Sequence, residues 1–174
     1  DGIPSRRPRL LYVGEISKNK NIEGTIHATE YLRATGYDAT LMIVGAGVHA
    51  AEIKALADRH KDFVQIADWT TSKEALMRIY READVFVMPS FTETFGLVYF
   101  EAMSQGLPVI YSRGQGIDGF FPDGEVGFAC NPQDPQDIAT KVKMILANHS
   151  AISENCTAAS EQCQWSRIAK EYEL

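Results

Sequence analysis

The chain has 174 residues, 45% hydrophobic and 23% charged, an ordinary globular composition that fits one domain. A chain of this length buries roughly 70% of its unfolded surface, which excludes a disordered tail, a fibrous repeat and a cysteine-stapled mini-domain. Seventeen basic against twenty-three acidic residues leave a net charge of −6, which argues against nucleic-acid binding, because the clustered Arg6-Arg7-Pro8-Arg9 reads as a solvated leader.

Residues 1–8, rich in Pro, Arg and Gly, read as a linker or truncation point, leaving one domain over 9–174. The apolar run 9–13 closes at Gly14 and predicts a strand buried on both faces. Ile22, Ile26, Thr29 and Leu32 recur at helical spacing up to Gly36. A second strand at 40–44 ends in Gly45-Ala46-Gly47, and Ile53, Leu56 and Ala57 mark a second helix. A third strand at 63–66 precedes a helix carrying Leu76, Ile79, Tyr80 and Ala83. The fourth strand, 84–88, stops at Pro89-Ser90, and a helix from 95 to 105 follows. Strands at 108–111 and 127–129 come next. Ile138, Val142, Ile145 and Leu146 then mark an amphipathic helix, and two shorter helical stretches, anchored by Trp165 and Tyr172, complete the chain.

Strands alternating with helices imply βαβ crossovers, hence a parallel sheet covered on both faces. The expected architecture is a Rossmann-like, doubly wound α/β domain of about six strands. Ligands of such sheets bind beyond the carboxyl ends of the strands, which points to loops 14–20, 45–49, 67–72, 89–96 and 112–118. Cys130, Cys156 and Cys163 are odd in number and lack metal-ligand spacing. Without a leader peptide they read as reduced thiols of a cytoplasmic protein. No run approaches eighteen apolar residues.

The stretch from Pro89 to Ile110 carries the chemistry. Glu93 lies in a loop at a strand's carboxyl end, just before a helix. The N–H groups of Phe95, Gly96 and Leu97 are then first-turn donors that suit an anion such as a phosphate. Gly96 lets a ligand approach the backbone, and Glu101 lies five residues on, about 7.5 Å of helix rise. Carboxylates so placed suit neutral sugar hydroxyls better than phosphate itself. Taken singly, each acid also fits a plain structural role, Glu93 against the helix dipole and Glu101 on the surface.

Together these residues resemble the E-x7-E signature of retaining GT-B glycosyltransferases, in particular family 4 (glycosyl transferases group 1). Glu93-Thr94-Phe95-Gly96 through Glu101 has that spacing. Val13-Gly14 with Lys20-Asn21 resembles the family's first phosphate loop, and Ile43-Val44-Gly45-Ala46-Gly47 its second strand and turn. The segments 83–90, 106–110, 123–128 and Trp165-Ser166 extend the likeness over about residues 10–172. The resemblance implies the donor-binding half of a GT-B fold, with the acceptor-binding N-terminal half outside this sequence. It implies Glu93 at the donor sugar, the backbone of Thr94, Phe95, Gly96 and Leu97 at sugar and diphosphate, Glu101 at the ribose, and Gly14 and Lys20 at the diphosphate. It implies Glu93 and Lys20 as the catalytic pair and no metal or other cofactor, in agreement with the lack of an Asp-x-Asp pair. The implied partners are a nucleotide-sugar donor and a glycan or lipid-linked acceptor. The implied setting is cell-surface polysaccharide synthesis, in the cytoplasm or peripherally at the inner membrane face.

Two positions depart from the family pattern. Glu15 stands where the family carries an arginine for the diphosphate, and Gln115-Gly116-Ile117-Asp118 replaces a Gly-Gly-x-x-Glu loop, with Arg113 or Asp118 as substitutes. Two other readings stay open: a nucleotide-binding regulatory module, and a nicotinamide-dependent oxidoreductase read from Gly45-Ala46-Gly47-Val48-His49-Ala50. The latter fingerprint belongs on a first strand, and here it follows the second. His49 reads as a capping or solvated histidine, and Phe120-Phe121 as core or a packing lip.

Overall fold

The computed structural model describes residues 6–172, with side-chain surroundings up to residue 163. Its six strands are β1 (Arg9–Val13), β2 (Thr40–Val44), β3 (Val64–Ala67), β4 (Val85–Val87), β5 (Val109–Ser112) and β6 (Gly127–Cys130). They form one parallel sheet in the order β3-β2-β1-β4-β5-β6. The helices are α1 (Ile22–Ala34), α2 (Ala50–Asp58), α3 (Lys73–Glu82), α4 (Leu97–Ser104), α5 (Pro135–Ala147) and α6 (His149–Tyr172). Contacts of α1 with α2 and α5, and of α4 with α6, define helical layers on the two faces of the sheet.

The strands are apolar on both sides because both faces are covered. Every residue of β4 and β5 is buried, as are Leu10 to Val13 of β1. Beneath α4, the rings of Tyr80, Phe86, Tyr99 and Tyr111 form a run of edge-on contacts with centroids 5.8–6.4 Å apart, a favoured aromatic geometry. Helix starts follow side-chain chemistry. Ser72 Oγ accepts from Ala75 N ahead of α3, and Asp134 accepts from Gln136 N with Pro135 opening α5. A cavity of about 320 Å³ lies between α3 and the β1–β3 face, lined by Leu11, Met42, Phe63 and Ile79, away from the loops discussed below.

Two expectations are corrected. The expected helix over 95–105 begins at Leu97, because Gly96 adopts φ 72° and ψ 59°, a left-handed conformation that cannot lie inside a right-handed helix. The two short terminal stretches are one helix, α6, since neither glycine nor proline interrupts 149–172. The side chains of Trp165 and Tyr172, expected to anchor that helix, lie outside the described residues, as does most of the proposed linker.

Candidate functional site

The chain runs outward from β1 to β2 and β3, then crosses back to β4 on the other side of β1. This reversal leaves a crevice between the carboxyl ends of β1 and β4, where doubly wound sheets place ligands. Lys20 comes from the loop after β1 and Glu93 from the loop after β4. Lys20 Nζ lies 2.8 Å from Glu93 Oε2, with side chains 18% and 13% exposed. Ser90 Oγ lies 3.4 Å from the same carboxylate oxygen.

Two asparagines lock the loops together. Asn19 Nδ2 donates to the Thr92 carbonyl at 2.8 Å, and its Oδ1 accepts from Thr92 N at 2.9 Å and from Thr92 Oγ1 at 2.6 Å. Asn19 O also accepts from Phe91 N at 2.9 Å. Asn21 is the one described non-glycine residue with positive φ, at 56°, a conformation asparagine tolerates better than most residues. Buried at 7% exposure, it donates Nδ2 to the carbonyls of Pro89 at 3.0 Å and Pro132 at 2.7 Å. Lys20 therefore sits between two residues whose side chains hold the far loop.

The third loop grips the backbone of Glu93. Gln115 Oε1 accepts from Glu93 N at 3.1 Å, and Gly116 N donates to Glu93 O at 2.9 Å. Asp118, considered at the sequence level as a substitute ligand, instead accepts from Gly114 N at 2.6 Å and closes its own loop. Arg113 is exposed, with its N–H bonded to Cys130 O at 2.9 Å. Beneath the site, Tyr12 donates its hydroxyl to the Glu15 carbonyl and Tyr99 to the Met88 carbonyl. Burial holds both phenols well above their ordinary range, and the Glu93 charge adds to the effect, so they stay protonated donors. The Glu15 side chain points to solvent and forms no ion pair among the described residues.

Residues 94–98 include all the backbone donors expected ahead of and at the start of α4. Among the described residues, the N–H groups of Thr94, Phe95, Gly96, Leu97 and Val98 make no hydrogen bond. The first helical donor in α4 to find an acceptor outside that helix is Tyr99, whose N–H reaches Gly96 O at 3.0 Å. The free donors stand at the positive end of a helix dipole. Glu101 does not join this group. Its Oε2 accepts from the Tyr80 hydroxyl of α3 at 3.1 Å, on an exposed stretch of α4. The charge of Glu101 adds to burial in raising the Tyr80 phenol.

The glycines of the dinucleotide-like fingerprint have another explanation. A Cβ on Gly45 would collide with the Gly14 carbonyl, and one on Gly47 with Ile16 O. Both are small so that the loops after β1 and β2 can pack backbone to backbone, with Ile16 N donating to Ala46 O at 2.9 Å. His49 occupies the N-cap position of α2, but it is 5% exposed rather than solvated and its side chain makes no cap hydrogen bond. Phe120 is 60% exposed and lies edge-on to Phe95, a surface lip beside the site.

Sequence reasoning missed Asn19, Ser90 and Gln115 as supports. Asn19 and Asn21 flank Lys20, and that Asn-Lys-Asn run in a glycine-led loop was the available signal. Nothing local marks Ser90 or Gln115.

Residues 1–163 match the family model described as Glycosyl transferases group 1. The chain is 32% identical over 167 residues to the sulfoquinovosyl transferase of Arabidopsis thaliana, covering 94% of this chain and 31% of that protein. It resembles the solved sucrose-phosphate synthase of Thermosynechococcus elongatus at TM-score 0.79 and 27% identity, covering 98% of this chain and 46% of that one. The pneumococcal O-GlcNAc transferase solved with UDP and GlcNAc shares the fold at TM-score 0.78 and 22% identity, over 94% of this chain and 35% of that one. The chain spans less than half the length of the curated relatives it matches, from 31% to 45%. Among the described residues, no helix is long and apolar enough to cross a membrane.

Proposed function

The chain belongs to the glycosyl transferases group 1 family, and from that premise we propose that it is the donor-binding half of a retaining, metal-independent hexosyltransferase using a nucleoside diphosphate sugar. The observation that carries this reading is the Lys20–Glu93 pair at the β1/β4 crevice, beside the free N–H groups of residues 94–98.

A diphosphate seated on those N–H groups has the Lys20 ammonium within reach, and Gly14 leaves room at the end of β1. Lys20 and the α4 terminus then supply the positive field that a metal ion supplies in other transferases. Glu93 accepts hydrogen bonds from the sugar hydroxyls, with its charge already balanced by Lys20. Glu101, on the second turn of α4, turns its free oxygen to the ribose hydroxyls. In the transfer, the bond between the anomeric carbon and the diphosphate oxygen breaks as the acceptor hydroxyl attacks from the same face. The hydroxyl proton passes to the departing phosphate oxygen, which retains the anomeric configuration. No covalent nucleophile is required.

The acceptor, a glycan or a lipid-linked sugar, is bound by a second domain of a longer protein, and closure of that domain excludes water from the donor. Synthesis of cell-surface polysaccharide, at the cytoplasmic side of a membrane, is the setting we favour on family grounds. The test is calorimetric titration of the chain with UDP, GDP, ADP and NAD, repeated on Glu101→Ala. Saturable binding of one nucleoside diphosphate, weakened in the variant, is expected. Binding of NAD alone would overturn the reading.

A further inference from the structure

A second polar cluster lies outside the crevice, where α1 and α2 begin. The His49 ring is 5% exposed, and each of its nitrogens faces a carboxylate. Nε2 lies 3.0 Å from Glu23 Oε1 of α1, and Nδ1 lies 3.1 Å from Glu52 Oε2 of α2. One ligand atom from each of the three residues lies within 4.8 Å of the others. The main chain at position 49 is held on both sides, since His49 N donates to Ile16 O at 3.1 Å and His49 O accepts from Ile53 N at 3.1 Å.

A neutral imidazole has a single N–H and can satisfy only one of these carboxylates. Its other nitrogen then presents a lone pair to a carboxylate oxygen, a repulsive contact unless a cation lies between them. That cation is either a second proton or a metal ion. Three features of the site accommodate a metal. A tetrahedral ion with bonds of about 2.0–2.1 Å sets neighbouring ligand atoms about 3.3 Å apart, close to the Nε2–Glu23 spacing. The Nδ1–H held by a carboxylate is the arrangement that orients metal-bound histidines. The glutamate side chains are 55% and 67% exposed, so water can fill the remaining positions.

We propose that His49 Nε2 and Glu23 bind a divalent zinc-class ion, with Glu52 holding Nδ1–H and fixing the ring. One imidazole with one carboxylate suits zinc, nickel or cobalt, and disfavours magnesium and calcium, which take oxygen ligands. The ion would staple the start of α1 to the start of α2, and so fix the loop after β1, which carries Lys20, against the loop after β2. It takes no part in the transfer chemistry and is independent of the donor-binding reading.

The experiment is titration of the chelator-stripped chain with zinc chloride by calorimetry, with magnesium chloride as control and circular dichroism to confirm folding. We expect one zinc per chain, a higher melting temperature with zinc, and no magnesium response. His49→Ala should abolish the zinc heat. Glu23→Gln, at an exposed side chain that leaves the fold intact, should weaken binding at least tenfold, and Glu52→Ala by about 10- to 100-fold. Zinc affinity unchanged in Glu23→Gln, or no saturable zinc binding to the unmodified chain, overturns the proposal.

Discussion

Lys20 and Glu93 are 73 positions apart in sequence and 2.8 Å apart in space, a mostly buried ion pair spanning the crevice between β1 and β4. A lone carboxylate at that spot would repel a diphosphate. Paired with Lys20, it is close to neutral as a unit and still offers oxygen acceptors to hydroxyls. Glu15, the departure from the family pattern, is exposed, and its carbonyl accepts from the Tyr12 hydroxyl.

Removing either partner strands a charge in a half-dry site. Lys20→Ala and Glu93→Ala should each lower stability by about 1–3 kcal/mol, between the values for exposed and buried pairs. Their effects on function should diverge. Lys20→Ala loses a charge-assisted contact and should weaken nucleoside diphosphate binding by about 10- to 100-fold. Glu93→Ala should keep that binding and abolish transfer in the full-length enzyme, and unchanged transfer would remove Glu93 from its assigned role.

Asn21 combines a left-handed backbone with two buried hydrogen bonds. Asn21→Ala forfeits both and should cost about 2–4 kcal/mol in urea denaturation. Asn21→Gly keeps the backbone freedom and should recover about 1 kcal/mol of it. If the two variants prove equally stable, backbone conformation contributes nothing there.

A methyl group at position 96 meets two obstacles. Gly96 has φ 72°, and an added Cβ would sit 2.5 Å from Tyr99 Cδ2. Gly96→Ala should therefore destabilise by about 1–3 kcal/mol and disturb the free N–H groups around it. A denaturation midpoint equal to the parent's would show that α4 can shift to accept the change.

Burial pushes the Cys130 and Cys156 thiols up to about 12 from an ordinary value of 9.0. Between those values the unfolded chain has lost protons that the folded chain keeps, so stability falls as pH rises from about 9 to 12. The slope is about 1.4 kcal/mol per pH unit per thiol, with the full contribution present below pH 9. Urea midpoints measured from pH 7.5 to 10.5 should fall, and fall less steeply in Cys156→Ala. At pH 8, Ellman's reagent should modify the partly exposed Cys163 well before the other two. Fast reaction at all three would contradict the burial.

The six strands were legible because each is a short, largely apolar run, and the first four are ended within two residues by glycine, proline or an acid; their parallel direction follows from the helices that separate most of them. Lys20, Glu93 and residues 94–97 were legible through the spacing of Glu93 and Glu101 and their place at strand ends. The geometry between them was not. No periodicity reveals that Asn19 would reach Thr92, or Gln115 the backbone of Glu93, because both contacts depend on how three loops fold against one another. The start of α4 was misplaced because a left-handed glycine looks, in sequence, like any glycine near a helix end. The place of His49 at the start of α2 was legible, but its burial against Glu23 was not, because Glu23 lies on another helix, 26 positions away.

The place of β1 in the sheet has a consequence for how the chain assembles. β1 is the first strand of this segment to leave the ribosome, yet it lies at the centre, hydrogen-bonded to β2 on one side and β4 on the other. Until residues 85–87 have been synthesised, one edge of β1 stays open and its apolar side chains lack half their cover. A nascent chain halted before that point presents an unpaired hydrophobic edge, the kind of surface that chaperones shield and that templates aggregation. The ion pair across the crevice can close only after β4 docks, so it forms later than the pairing of β1 with β2.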